Sequence, residues 1–401
     1  MKQNRRELLL TSGAALMSRA AFGKKESKAP LPSVLLMVAE NLSWWMLGCY
    51  GAKDIKTPNL DRLARIGNRF YCYSGAPVSE PGFHSLLTGR VDAPSSGGAT
   101  LGTVFATKGY HCACAGIENV PQGFERASTA VEFLDKQKAE SPFLLLVRWK
   151  NPLPPSEPLP ARYRQLYQTV QFNQSGWLPV APNAAVGKEY MQHPVENIRQ
   201  SAAAISELDD RLAPLIAKVN QRGLSDSTLI IFTSSNGYLL GRHGLWSDGR
   251  ASNPPTMYEE VVRVPMIWSL PTMVPPETTR PEIVSLYDLL PTLAQMTDAT
   301  IPNAAMPGRS FLPAATGAQF PKKQPWRNLA FSTYQDVTMV RDARYKLTLR
   351  AGGKGPNELY NMPIDANENQ NRYDDPEYSN VRDRLTGEIQ NWRKKYTGAV
   401  E

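Results

Sequence analysis

The chain has 401 residues, 42% of them hydrophobic and 20% charged, with a formal net charge of +8. These are the values of an ordinary soluble globular protein with room for a large core, or for one large domain and a smaller one. The basic excess is too diffuse for a nucleic-acid footprint, and no apolar run beyond the N-terminal segment reaches the roughly 18 residues of a membrane span. Neither nucleic acid nor a membrane span is therefore expected.

Residues 1–23 open with Arg5-Arg6-Glu7-Leu8-Leu9-Leu10, a short apolar stretch, and small residues around Ala21-Phe22-Gly23. This pattern looks like a twin-arginine export signal with its cleavage site. The expected location is accordingly outside the cytoplasm, periplasmic or extracellular in a bacterium. The four cysteines, Cys49, Cys72, Cys112 and Cys114, show no metal-thiolate spacing. Export permits a disulfide, and three full pairings stay open.

Ser33–Ala39 is continuously apolar between Pro32 and Glu40-Asn41, the pattern of a buried parallel strand. Thr57-Pro58 predicts a helix start, with Thr57 as N-cap, Leu60, Leu63 and Ala64 on the buried face, and Gly67 at the end. A second helix is predicted over Thr100–Lys108, followed by a strand around Cys112–Ile117. Phe143–Val147 reads as another buried strand, running into a proline-rich loop over 152–160. Val195–Val219 has the spacing of a long amphipathic helix, and Leu229–Thr233 that of a third buried strand, ending at Ser234-Ser235-Asn236-Gly237.

Buried strands alternating with amphipathic helices predict an α/β fold, a large mixed, mostly parallel sheet sandwiched by helices. After about residue 320 the texture changes to short strands, Leu329–Ser332, Val337–Arg341, Tyr345–Leu349 and Glu358–Tyr360, followed by a polar helix over Pro376–Tyr396. The expected organisation is a signal over 1–23, an α/β domain over 24–320, and a small α+β subdomain over 321–401. Sites in such sheets lie beyond the carboxyl ends of the strands. Glu40-Asn41, Ser235-Asn236 and the segment after Phe143–Val147 all fall there.

Several segments occur in the order of a known family. They include Leu47-Gly-Cys-Tyr-Gly, Lys56-Thr-Pro-Asn-Leu-Asp-Arg-Leu-Ala, Ser79-Glu-Pro-Gly-Phe-His-Ser-Leu-Leu-Thr-Gly-Arg90, Gly241-Arg-His-Gly-Leu-Trp246 and Ser285-Leu-Tyr-Asp-Leu-Leu-Pro-Thr-Leu293. Over roughly residues 32–395 the chain resembles a sulfatase of the alkaline-phosphatase-like superfamily. The resemblance implies a sulfuric ester hydrolase. In that family a formylglycine, made from a Cys or Ser in a Cys/Ser-x-Pro-x-Arg motif, attacks the sulfate while a calcium ion neutralises its oxygens.

Matched position by position, the resemblance puts Ser79 at the nucleophile, with Phe83 where the motif has Arg. The metal-ligand positions fall on Glu40, Asn41, Ser235 and Asn236, which offer one carboxylate between them. Ile117-Glu118-Asn119 and Pro152-Leu153 stand where the family has cationic residues. His243 survives as a catalytic candidate, with Arg242 beside it as a substrate-binding candidate. No formylglycine is expected at Ser79 and no cofactor is expected, with calcium the candidate if the family site still functions. The resulting expectation is an exported pseudo-sulfatase, catalytically impaired or inactive, whose pocket binds an anionic or sulfated glycan or serves a protein partner. An active sulfuric or phosphoric ester hydrolase with a rearranged site is the alternative.

Overall fold

Ser33–Ala39 has no polar face, so a strand made from it needs cover on both sides. In the computed structural model, which describes residues 31–91, 98–150, 153, 159–172, 178–302 and 305–397, all seven of its residues are buried. The expected export signal and most of the proline-rich loop lie outside the described residues. From Leu31 onward the chain forms one compact unit.

The strands of the large sheet are β1 (Ser33–Ala39), β2 (Asn68–Tyr73), β3 (His111–Ala115), β4 (Glu125–Arg126), β5 (Phe143–Trp149), β6 (Thr228–Ser234), β7 (Arg263–Val264), β8 (Met266–Ser269) and β9 (Thr278–Ser285). Their order is β4-β3-β5-β1-β6-β8-β2-β7, with β9 joining beside β2. The run from β4 to β6 is parallel, whereas β8 and β7 pair antiparallel to their neighbours. The fold class expected from the sequence, a mixed and mostly parallel sheet between helices, is the one observed.

Alternation along β1 builds two cores. Leu35, Met37 and Ala39 face one side, where the long helix Pro194–Gln221 and the helix Pro58–Arg65 pack. Val34, Leu36 and Val38 face the other, against the helices Ser79–Thr88, Leu101–Ala106 and Leu289–Met296. Cys112 and Cys114 lie in this second core, two apart on one face of β3, and all four thiols are free. Among the described residues no helix is long and apolar enough to cross a membrane.

Helix boundaries follow local chemistry, with two revisions. The helix expected over Thr100–Lys108 is shorter, Leu101–Ala106, and Thr100 caps it in a reciprocal box with Thr103. Thr57 precedes Pro58 as expected, but its hydroxyl does not cap the helix. It accepts from the Gly48 N–H at 2.9 Å and donates to Asp61 at 3.2 Å, pinning the loop after β1 to the helix.

The C-terminal segment forms an antiparallel sheet of β10 (Ala330–Tyr334), β11 (Val337–Arg341), β12 (Tyr345–Arg350) and β13 (Glu358–Asn361) in that order. The helix Ser379–Tyr396 packs on it through Leu385, Ile389 and Trp392. Trp392 stacks on Phe331 with ring centroids 5.0 Å apart.

Because Leu36 is fully buried at the centre of β1, Leu36→Asp is expected to abolish soluble protein. It places an unpaired carboxylate among apolar side chains in a domain whose whole stability is about 5–15 kcal/mol. Ser79→Ala is expected to leave the protein soluble and to cost about 1–3 kcal/mol, the range for hydrogen bonds to charged groups such as Arg148. Soluble yield and thermal melting of the two variants check both statements.

Candidate active site

The register of three parallel strands decides which side chains meet. Val38 pairs with Arg148 on β5 and with Thr233 on β6. Two residues further on, Glu40 and Ser235 continue the same face beyond the strand ends. Strand β5 runs two residues past its apolar core and so delivers Arg148 to this spot.

The helix Ser79–Thr88 closes the site. A Cβ on Gly82 would lie 2.0 Å from the Ser235 carbonyl oxygen, so only glycine allows the helix to lie this close to the end of β6. The Ser79 hydroxyl consequently stands 3.2 Å from the Ser235 hydroxyl. It also accepts from Arg148 Nη2 at 3.1 Å and hydrogen-bonds the Glu40 carboxylate.

Arg148 is the centre of this arrangement. Its side chain is 6% exposed, with Nη2 2.8 Å from Glu40 Oε1 and 2.6 Å from Glu80 Oε1. The Glu40 contact is an ion pair without good hydrogen-bond alignment, since Glu40 Oε1 has no aligned donor. The guanidinium lies 4.0 Å above the Phe83 ring. Burial pushes the Glu40 carboxyl up, and Arg148 with the Ser79 hydroxyl pulls it back only in part, so its pKa stays above 4.5. Lys150, exposed and paired with Glu118 at 2.7 Å, adds positive charge at the rim.

The remaining expected residues knit the strand ends together. Asn236 donates to the Asn41 side chain at 2.9 Å and accepts from the Asn41 N–H at 3.1 Å and from the Ser235 hydroxyl at 3.2 Å. Asn41 holds a left-handed backbone, φ 54°, a conformation asparagine tolerates better than most residues. Glu40, Asn41, Ser79, Ser235 and Asn236 are thus brought together as the sequence suggested.

His243 and Arg242 belong to a second cluster. His243 Nε2 lies 3.2 Å from Glu260, and the imidazole stacks on Tyr258 with centroids 3.7 Å apart. Arg242 pairs with the same carboxylate at 3.2 Å and lies over the Trp45 ring. The two clusters adjoin through backbone, because Gly237 abuts the Glu260 carbonyl where a Cβ would come within 2.0 Å. His243, Glu260 and Glu368 offer ligand atoms within 4.8 Å of one another. Arg242 already neutralises Glu260, and Lys346 Nζ lies 2.7 Å from Glu368.

Comparison with known proteins fits this architecture. A family model described as "Sulfatase" matches residues 32–120 and 125–299, and one described as "N-sulphoglucosamine sulphohydrolase, C-terminal" matches 241–395. The chain belongs to the sulfatase family. It is 29% identical to human arylsulfatase A over 389 residues, covering 79% of this chain and 74% of that one. The phosphonate monoester hydrolase of Agrobacterium radiobacter superposes with a TM-score of 0.74 at 19% identity, covering 91% of this chain and 96% of that one. A structure solved with its substrate D-glucosamine-2-N,6-O-disulfate superposes with a TM-score of 0.73 at 19% identity, covering 91% and 98%.

Sulfatases typically bind calcium, a hard cation needing six to eight oxygen ligands. At the end of β1 this sulfatase-family chain offers the Glu40 carboxylate, and the Arg148 guanidinium already sits on it. Asn41, Ser235 and Asn236 spend side-chain groups on one another. This donor set does not fit a dication.

Two residues of the candidate site escaped the sequence reading, Arg148 and Glu80. The signal for the first was a charge directly after an apolar strand whose end was set two residues too early. Glu80 carried no signal, because nothing local distinguishes it from a solvent-facing helix residue.

The His243–Glu260 pair has a definite pH signature. Burial opposes the charge on His243, but the bond to Glu260 outweighs it and raises the imidazole above 6.5. Burial likewise opposes charge on Glu260, and His243 followed by Arg242 holds that carboxyl below 4.5. The stability from Glu260 is present above pH 4.5 and lost as pH falls through its lowered value; that from His243 is present below 6.5 and lost as pH rises through its raised value. The coupling is therefore expected to be largest between about pH 4.5 and 6.5. A double-mutant cycle of His243→Gln and Glu260→Gln, melted across pH 4 to 9 in a Glu368→Gln background, measures it without the titration of the neighbouring Glu368.

Proposed function

We propose that this sulfatase-family protein binds sulfated glycans without hydrolysing them. The observation that carries this reading is the charge balance around Ser79. The guanidinium that touches the hydroxyl is clamped between two carboxylates, Glu40 and Glu80. Little uncompensated positive charge is left there to stabilise an attacking oxygen or the oxygens of a sulfate in its transition state. Phe83 supplies no cation, and His243 is held by Glu260 and Tyr258. Each group of this kind is worth about 3 kcal/mol, or about two orders of magnitude in rate.

The glycan ligand is argued from chemistry and kinship. Lys150 lies exposed at the rim of the strand ends, and only the exposed Glu80 covers the outer side of Arg148, while the net charge favours approach of an anion. One structural relative was solved with a disulfated glucosamine as its substrate. The Arg5-Arg6 segment supports export to the compartment where extracellular polysaccharides are met. A second reading, hydrolysis by a rearranged site, draws on the hydrogen bond between Ser79 and the raised-pKa carboxyl of Glu40. That pair has the chemistry of a nucleophile and its general base.

Turnover of aryl sulfate and aryl phosphate esters is expected not to exceed that of a Ser79→Ala control. Calorimetry with a sulfated oligosaccharide should give binding that chemical desulfation removes. Activity that disappears in Ser79→Ala would replace the binding reading with the hydrolytic one. Peptide mass spectrometry is expected to find Ser79 as serine; a deficit of about 2 Da would mark oxidation to the aldehyde nucleophile.

A further inference from the structure

We propose that Arg148 is the resident cation of this site, standing where the fold otherwise calls for a divalent metal, and that it takes a sulfate monoester by exchange with the Glu80 carboxylate. The inference rests on the glycan-binding reading above and names the group that does the binding.

The two carboxylates on Arg148 are not equivalent. Glu40 stands at the end of the central strand, and its side chain is 12% exposed; Glu80 is on the first turn of a surface helix and is 74% exposed. The first fixes the guanidinium, because a buried charge stripped of its partner is costly. The second is an exposed pair of the kind that contributes little and exchanges readily.

Glu80 also displays the geometry an incoming oxyanion would take. Its oxygens lie 2.6 Å from Nη2 and 3.4 Å from Nη1, a two-point contact on the guanidinium fork. Carboxylates and tetrahedral oxyanions present oxygen pairs that match this fork. A sulfate monoester carries the same single charge as the carboxylate it would displace.

Further features point to a ligand. The side chain is stacked on Phe83 and held by Glu40, so the anion comes to a fixed cation. The first turn of the ten-residue helix Ser79–Thr88 adjoins it, adding partial positive charge.

Calorimetry with inorganic sulfate, in EDTA and again in millimolar calcium, tests the assignment. Wild-type affinity is expected to be the same in both buffers. Glu80→Gln should bind sulfate about threefold tighter, the effect of removing one competing exposed ion pair. Arg148→Met/Glu40→Gln, which removes both charges of the buried pair together, should melt normally and lose sulfate binding. If that double variant does not fold, Arg148→Lys keeps the charge without the fork and should bind more weakly than wild type. Unchanged or weaker binding by Glu80→Gln, or wild-type binding that requires calcium, overturns the inference. Either result leaves the glycan-binding reading standing if the sulfated oligosaccharide still binds, whereas turnover dependent on Ser79 removes that reading alone.

Discussion

Burial of β1 on both faces is the constraint from which the rest follows. A strand made only of apolar residues has to be central, and a central strand in a parallel sheet acquires neighbours on both sides in fixed register. That register sets Val38 between Arg148 and Thr233. The period of two along each strand then places Glu40, Arg148 and Ser235 on the face that the Ser79 helix covers. The polar site is therefore a consequence of how an apolar segment is hidden, and its geometry is as stiff as the sheet.

Electrostatics gives the site its character. Charges this far from water persist only when partnered, and each partnership removes a group from other service. Arg148 is committed to Glu40, His243 to Glu260, and Lys346 to Glu368. Phe83 contributes a flat apolar surface on which the guanidinium rests, so the ring determines where the cation lies without carrying charge itself. The result is a site of paired ions.

Much of this was legible in the sequence. The unbroken apolar runs at 33–39, 143–147 and 229–233 announced central strands, because only a doubly covered strand tolerates such composition. The amphipathic helix and the short strands after residue 320 were legible for the same reason, periodicity matched to exposure. The gathering of Glu40, Asn41, Ser79, Ser235 and Asn236 followed from strand-end position and family resemblance. What escaped was set by tertiary contact. The two residues that lengthen β5 are ordinary in sequence, yet they carry Arg148 into the site. β2 mixes polar and apolar residues, Asn68-Arg-Phe-Tyr-Cys-Tyr73, and only its neighbours make it a strand. His243 was legible as a family position, but it stacks on Tyr258 from a left-handed backbone that no local motif forecasts.

Lys346 is fully buried on β12, where its ammonium meets Glu368 from the loop after β13 and lies 3.5 Å from Glu259, the neighbour of the carboxylate that holds His243. Glu368 in turn accepts the Glu259 N–H at 2.6 Å. This three-way junction makes the C-terminal sheet non-transferable. A chimera whose grafted tail lacked Lys346 or Glu368 would leave an ion stranded in the interior. Glu259, Lys346 and Glu368 therefore act as one unit, and removing any one of them leaves a buried charge without its partner.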